Sequence, residues 1–241
     1  MFLKVADSVR EVYPEAHFAT MAAHGVDTPA DRVAFEALKA AEIAQIMEMH
    51  QAYDRKTATS TPPMSPYVTH YKRFKKTYQV MLQLESVLFK GRGIPSVNVP
   101  VEAMFLAELK HLLLGGGYDL DTTTGDVEVA VSTGTETFGN MAGEEQTLQN
   151  GDLYLHDGAG LLGNIIYGPA HRTCITDASR NVLFLIYGVP GVPIADTRRQ
   201  LADLGTYLKA GLPGAELEPI RVWAADGTEV VRTGASVPGA W

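Results

Sequence analysis

Residues 85–121 decide the fold predicted from this sequence, and they read ESVLFKGRGIPSVNVPVEAMFLAELKHLLLGGGYDLD. The stretch predicts a helix end, a turn rich in glycine and proline, and a second helix beginning near Pro100, where a missing N–H leaves no partner unsatisfied. Gly115, Gly116 and Gly117 are expected to end that helix in the left-handed conformation. Apolar residues cover nearly the whole circumference between these marks, which is typical of a buried helix.

Three polar residues lie on this buried helix or just before it, namely Asn98, Glu102 and Glu108. Polar groups that leave water need hydrogen-bond partners, and buried charges need counter-ions or a shifted pKa. These three residues are therefore the first candidates for a functional site.

The composition is that of a soluble globular protein, with 46% hydrophobic and 20% charged residues in 241. No segment approaches the roughly 18 consecutive apolar residues of a membrane span. The opening residues lack the apolar core of a secretory signal, so we expect a cytoplasmic protein with no membrane partner. Cys174 is the sole cysteine, which excludes an internal disulfide and is too little for a thiolate zinc site. We predict no metal and no cofactor.

The net charge of −8 argues against general nucleic-acid binding, DNA included, but one segment is basic. The predicted basic cluster consists of Lys72, Arg73, Lys75, Lys76, Lys90 and Arg92. It has two interpretations, a solvated helix face and a docking patch for phosphates. A single helix is predicted from Ser65 to about Lys90. Cations in its first turns would oppose the helix dipole, which favours the phosphate interpretation.

The remaining pattern predicts an α+β fold, because helices dominate the first half and strands the second. Thr28 and Pro29 predict the start of a helix that continues to about His50, and residues 53–66 are expected to form a loop. Later elements are predicted as strands at 127–131, 153–155, 161–167 and 182–187, a helix at 194–210 and a hairpin at 218–231. We expect an N-terminal extension at 1–64, a core at 65–211 and a C-terminal hairpin and tail at 212–241.

Common catalytic motifs are absent from the sequence. It has no dinucleotide or phosphate-binding glycine loop, no GxSxG elbow and no HExxH helix. Cys174 follows His171 closely, which leaves open a thiol nucleophile with a base, although a lone buried cysteine is usually inert.

Several short motifs follow one another in a specific order. They are GIPSVN at 93–98, Glu102, FLAEL at 105–109, GTE at 134–136, Gly143, GDL at 151–153, IIYG at 165–168 and NVLF at 181–184. In this order they resemble the B3/B4 domain, the editing domain of the phenylalanyl-tRNA synthetase β subunit, in a free-standing version covering residues 70–190. The resemblance implies a single B3/B4-like domain with helices packed on a mixed or antiparallel sheet.

The resemblance also implies a function, hydrolysis in trans of the ester that joins a wrong amino acid to the 3′ end of tRNA. It implies catalytic roles for Asn98, Glu102 and Glu136. It implies substrate-binding roles for Glu108, Arg172, Thr173 and Leu185, and binding of the tRNA acceptor end by the basic cluster. Leu185 stands where the bacterial synthetases have a glutamate that reads the hydroxyl of tyrosine, so a more apolar amino acid is expected here.

Two alternatives stay open beside this deacylase. One is a non-catalytic module of the same fold that binds RNA or an amino-acid-like ligand. The other is a hydrolase for small acyl or amino-acid conjugates that does not use tRNA.

Overall fold

The computed structural model describes residues 3–91 and 93–231. Arg92 of the basic cluster and the end of the predicted tail, 232–241, lie outside the described residues. The elements are β1 (Leu3–Val5), α1 (Asp7–Val12), β2 (His17–His24), α2 (Arg32–Met49), α3 (Arg55–Ser60), α4 (Met64–Arg73), α5 (Gln79–Lys90), α6 (Val99–His111), β3 (Gly115–Asp119), β4 (Val127–Val131), β5 (Thr137–Gly139), β6 (Glu145–Thr147), β7 (Leu153–Asp157), β8 (Gly160–Asn164), β9 (Gly168–Pro169), β10 (Asn181–Gly188), α7 (Ile194–Gly211), β11 (Glu216–Leu217) and β12 (Arg221–Ala224).

Two five-stranded sheets carry the fold, which confirms the predicted α+β class. The first sheet has the order β1-β4-β7-β8-β9, with β1 parallel to β4 and its other pairs antiparallel. The second is antiparallel, with the order β11-β2-β10-β3 and β12 also on β2. Helices α6 and α7 pack on each other and on this second sheet.

Strand β2 lies in the middle of the second sheet. It pairs with β10 on one side and with β11 and β12 on the other. The segments at 1–64 and 212–231 thus contribute strands to the same sheet as the central part of the chain. No helix in the described part of the chain combines the length and the apolarity that a membrane crossing requires.

Helix α6 is buried, as the sequence predicts. The side chain of Asn98 caps its first turn by accepting the Val101 N–H at 3.1 Å, and Pro100 lies within that turn, where proline is tolerated. The helix ends at His111, and Leu112 takes the left-handed conformation with φ of +57°.

The glycine triplet does not end this helix, so that prediction was wrong. Gly115, Gly116 and Gly117 open the edge strand β3, which pairs with β10. A Cβ on Gly116 would lie 2.5 Å from the Tyr118 hydroxyl, and one on Gly117 would lie 2.7 Å from Ile175 Cδ1. These glycines are needed because the strand is packed too closely for side chains.

The long helix predicted at 65–90 is two helices, α4 and α5. The chain breaks at Phe74 and Lys75, where Lys75 has a φ of +55°. Lys72 and Arg73 therefore lie in the last turn of α4, where the helix dipole favours cations instead of opposing them. The predicted loop at 53–66 was also wrong in part, because it contains the short helix α3.

Glu102 ties α6 to α2. Its carboxylate is fully buried and accepts hydrogen bonds from Arg32 Nη1 at 3.0 Å and Lys39 Nζ at 2.5 Å. Burial acts to raise the pKa of Glu102, but the hydrogen bonds from Lys39 and Arg32 outweigh it and hold that pKa below its ordinary value. The ion pairs fix the N-terminal half of α6 against α2.

We expect Glu102→Gln to lower the free energy of unfolding by about 3–5 kcal/mol, because it removes the fully buried counter-charge of Lys39 and leaves that lysine with the half-exposed Glu36 alone. Urea unfolding at pH 7 measures the loss. Glu36→Gln is the matched control, since Glu36 contacts the same two cations from a half-exposed position. It should cost no more than about 1 kcal/mol. Equal losses in the two variants would contradict the anchoring role of Glu102.

Candidate functional site

A partly enclosed cavity of about 380 Å³ lies between α6, the edge strand β3 and the segment that joins β8 to β9. Its lining comprises Val101, Met104, Phe105 and Glu108 of α6, Gln79 and Gln83 of α5, Leu114 to Tyr118, Asn164, Ile165, Tyr167 to Pro169, and Pro95, Val97, Met141, Cys174, Ile175 and Tyr187. Apolar walls with a few placed polar groups are typical of a small-molecule pocket. The volume is sufficient for an aminoacyl group.

Glu108 is the sole carboxylate among the described residues that line this cavity. Its Oε1 accepts the backbone N–H of Gly115 at 2.8 Å. Burial raises the pKa of Glu108 to about 8, and that single hydrogen bond only partly opposes the shift. The side chain is therefore mostly a neutral carboxylic acid at pH 7, with an O–H to donate.

The backbone edge of β3 faces the same cavity. Gly115 turns its N–H away from β10 and toward Glu108. Backbone groups alternate in direction along a strand, so the N–H of Gly117 points to the same side as that of Gly115. The cavity thus has a strand edge that can donate a backbone hydrogen bond.

Two tyrosines close the inner end of the cavity. The hydroxyls of Tyr118 and Tyr187 lie 2.6 Å apart and share a hydrogen bond. Burial raises the pKa of both phenols, so both hydroxyls stay protonated at neutral pH.

None of the three residues predicted as catalytic lines this cavity. Asn98 lines a separate, more open cleft of about 360 Å³ beside Thr176 and Asp177. Glu102 is sealed beneath α2 by its cations. Glu136 lies in the turn between β4 and β5.

Glu136 organises that turn. Its carboxylate accepts the hydroxyl of Ser132 at 2.5 Å, the hydroxyl of Thr133 at 3.0 Å and the N–H groups of three consecutive residues, 133–135. Burial acts to raise the pKa of Glu136, but the hydrogen bonds from Ser132 and Thr133 dominate and lower it to about 2. The side chain of Glu136 is therefore an anion at neutral pH, and the turn occupies its oxygens with hydrogen bonds.

Of the residues predicted to bind substrate, Glu108 lines the cavity and the other three do not. Arg172 donates to the carbonyls of residues 122, 160 and 161 and to Asp157, and it borders a different cavity of about 310 Å³. Thr173 is fully buried and donates to the carbonyl of Leu162. Leu185 is buried in β10, two residues before Tyr187 and on the same face of the strand.

Cys174 lines the cavity, but its surroundings do not activate a thiol. Burial raises its pKa, and its sulfur lies 3.5 Å from the carbonyl oxygen of Ala170. His171 instead contacts the carbonyl of Met141 through Nδ1. Among the described contacts, none pairs the thiol with a base.

The basic cluster reaches the cavity through Lys76. Its Nζ lies 5.2 Å from the ring centroid of Tyr167, which lines the cavity. Lys72 and Lys75 are exposed near the same turn, and Arg73 lies over the ring of Tyr13. Lys90 lies at the far end of α5. Lys76 therefore marks the rim, with exposed cations beside it.

Sequence reasoning missed most of the polar lining, including Gln83, Tyr118, Asn164 and Tyr187. A signal existed for Asn164, which interrupts the apolar run LLGNIIY at 161–167. The rule that identified Glu108, a polar residue within an apolar element, applies equally to Asn164.

Comparisons with known proteins found a family model and similar solved structures. A sequence model described as the B3/4 domain matches residues 66–208, more than half of the chain. Among solved structures, the chain is similar to the crystal structure of an N-terminal fragment of the phenylalanyl-tRNA synthetase β subunit from Pyrococcus horikoshii, with 15% identity and a TM-score of 0.49. That match covers 95% of this chain and 53% of the other, so the chain spans about half of the fragment's length. No curated protein matches significantly.

We expect Glu108→Gln to change how stability depends on pH. A carboxyl whose pKa is raised on folding stabilises the protein fully below about pH 4.5, and that contribution is lost as the pH rises toward about 8. Glutamine cannot ionise and keeps an oxygen for the Gly115 N–H. The variant should lie within about 1 kcal/mol of the wild type at pH 5 and exceed it by roughly 3–5 kcal/mol at pH 9. Urea unfolding from pH 5 to 9 measures the difference, and parallel curves would contradict a neutral Glu108.

Proposed function

This chain belongs to the B3/4 domain family, and from that premise we propose that it hydrolyses, in trans, the ester bond of a misacylated aminoacyl-tRNA. The observation that carries the proposal is the apolar cavity with a lysine at its rim. An aminoacyl-tRNA has an anionic backbone and a small acyl end. The cavity of about 380 Å³ has room for the acyl end, and the exposed cations beside it are opposite in charge to the anionic backbone.

The cations suit the nucleic-acid part of this substrate. Lys72, Lys75 and Lys76 are exposed near one turn, where phosphates of the acceptor end can approach them. The 3′ terminal nucleotide would then pass Tyr167, whose ring offers a face on which a base can stack. The acyl group would enter the cavity below it.

The reaction needs no side-chain nucleophile. Water attacks the ester carbonyl carbon, the bond between that carbon and the ribose oxygen breaks, and the ribose oxygen takes up a proton. The products are the free amino acid and deacylated tRNA. The ester is already activated, so holding the water and stabilising the oxyanion suffice. The N–H of Gly117 at the edge of β3 is the donor that we assign to the oxyanion.

The residues predicted as catalytic then act at a distance from the ester. Glu102 holds the start of α6, and Glu136 holds the turn before β5. We assign both to positioning, because their oxygens are already engaged by other groups. Asn98 contributes the cap of α6, the helix that forms one wall of the cavity.

A second candidate is a non-catalytic binding module of the same fold. The same placement favours it, since none of the predicted catalytic side chains lines the cavity. In this case the cavity would hold an aminoacyl end without cleaving it.

The direct test is release of the amino acid from a panel of misacylated tRNAs by the purified chain. We expect release above the spontaneous rate for at least one amino acid. Val101→Trp should reduce it at least about tenfold, because Val101 lines the cavity and a larger ring fills it. Val33→Trp is the matched control, since Val33 lies in the first turn of α2 and is 84% exposed.

The outcomes separate the two candidates. Release that Val101→Trp abolishes and Val33→Trp leaves intact supports the deacylase. A panel without any release rejects it, and tRNA binding under the same conditions then favours the binding module.

We expect neutralisation of the exposed cations to weaken tRNA binding. Lys72→Gln, Lys75→Gln and Lys76→Gln combined should lower the affinity and reduce the slope of log K against log salt by about 2–3, roughly one for each phosphate contact. Arg73 is left in place because it packs on Tyr13. Filter binding from 50 to 300 mM salt measures the slope, with Lys56, Arg180 and Arg199 changed to glutamine as the control. An unchanged slope would favour a hydrolase of small conjugates over one that acts on tRNA.

A further inference from the structure

Asn164 has a side chain whose orientation is fixed by the backbone. Its Oδ1 accepts the N–H of Ile166 at 3.1 Å and the N–H of Tyr167 at 2.7 Å. Only an oxygen can accept from two N–H groups, so the amide nitrogen must point the other way. The residue is 1% exposed and lines the cavity, which leaves Nδ2 as a buried donor beside it.

That donor has no hydrogen-bond partner within residues 3–91 and 93–231. An unsatisfied buried polar group costs about 1–3 kcal/mol, and native proteins retain few of them. Gln83 lines the same cavity, and its Oε1 is likewise buried without a partner among the described residues. The wall of the cavity therefore contains one buried donor and one buried acceptor that have no partner within the described residues.

Several other polar groups around the cavity already have partners, although the O–H of a protonated Glu108 and the N–H of Gly117 remain available as donors. Glu108 accepts from Gly115, and the hydroxyls of Tyr118 and Tyr187 bond to each other. No lysine or arginine is among the described lining residues. A ligand group that enters the cavity thus meets apolar walls, a free amide donor and no fixed positive charge.

We propose that Asn164 determines the specificity of this cavity by donating from Nδ2 to an oxygen acceptor on an uncharged acyl side chain. The proposal rests on the deacylase function and names its substrate class. The selected side chains carry a neutral carbonyl, amide or hydroxyl oxygen, and their purely hydrocarbon isosteres are rejected.

The physical reason is the cost of an unpaired donor. Apolar walls alone distinguish side chains that differ by one methylene by about 10–200-fold. A buried donor adds a penalty for every ligand that leaves it unpaired, and such sites reject the wrong analogue by up to about 10⁴–10⁵-fold. Asn164 therefore supplies a discrimination that the hydrocarbon walls cannot supply.

The test uses pairs of acyl groups of nearly equal shape, asparaginyl with leucyl and threonyl with valyl. Each is linked by a stable amide to 3′-amino-3′-deoxyadenosine, so binding is measured without hydrolysis. We expect the wild type to bind the oxygen-bearing member of at least one pair about tenfold or more tightly by calorimetry. No preference in either pair would overturn the proposal, and ordered water would then satisfy Asn164.

The variant Asn164→Asp isolates the donor. Aspartate keeps an oxygen for Ile166 and Tyr167 but replaces the NH₂ group with an acceptor, so the preference should fall about tenfold or reverse. Asn140→Asp is the matched control, since Asn140 also accepts from two backbone N–H groups and does not line the cavity. A preference that survives in Asn164→Asp overturns the proposal. The wild-type comparison stands even if this variant folds poorly.

The same measurements distinguish failure of the proposal from failure of the proposed function. A deacylase without the binding preference leaves the function intact and removes the role of Asn164. A binding preference without any deacylation keeps the role of Asn164 and rejects hydrolysis.

Discussion

The burial of helix α6 is the constraint on which the rest of the structure depends, because a helix without a solvated face must neutralise its own acids. The chain solves this in two ways on one helix. Glu102 keeps its charge and accepts hydrogen bonds from Arg32 and Lys39, which fixes α2 beside the first turns of α6. Glu108, near the other end of α6, accepts one backbone N–H, and burial raises its pKa. The first solution locks two helices together, and the second leaves a neutral acid where the strand β3 opens the cavity.

The parts of the fold that could be predicted are those that local pattern decides. The buried helix, the helix after Ile194 and the strands around Val129, Leu155 and Phe184 all follow from periodicity and are present in the structure. The glycine triplet could not be assigned in this way. Glycine permits both a helix end and a closely packed strand, and the choice rests on Tyr118 and Ile175, whose contacts exist only in the folded chain. Tertiary packing decided what local propensity left open.

The candidate site was predictable to a similar extent. The rule that buried polar groups need partners selected Glu108, which lines the cavity. The same rule also selected Glu102, which does not line the cavity. Its partners Lys39 and Arg32 lie 63 and 70 positions earlier in the chain, so no local sequence pattern predicts these ion pairs. The split of one predicted helix into α4 and α5 likewise places Lys72 and Arg73 at a helix end that favours cations. The helix dipole therefore no longer favours a bound phosphate beside these residues. The contact of Lys76 with Tyr167 instead links the basic cluster to the cavity.

The distribution of charge around the cavity is compatible with the proposed substrate, an ester with an anionic tail. Asp152 is a second fully buried acid, and burial raises its pKa to about 8, while the backbone N–H of Leu153 only partly opposes the shift. With Glu108 mostly protonated at neutral pH, the wall of the cavity carries little negative charge, while the exposed lysines lie outside it. An oxyanion that forms beside Gly117 would then face neutral groups. Ionisation of Glu108 would place a like charge in the same cavity wall, in a medium of low dielectric constant, where repulsion is strong. A protonated Glu108 is thus compatible with the anionic transition state of the proposed reaction.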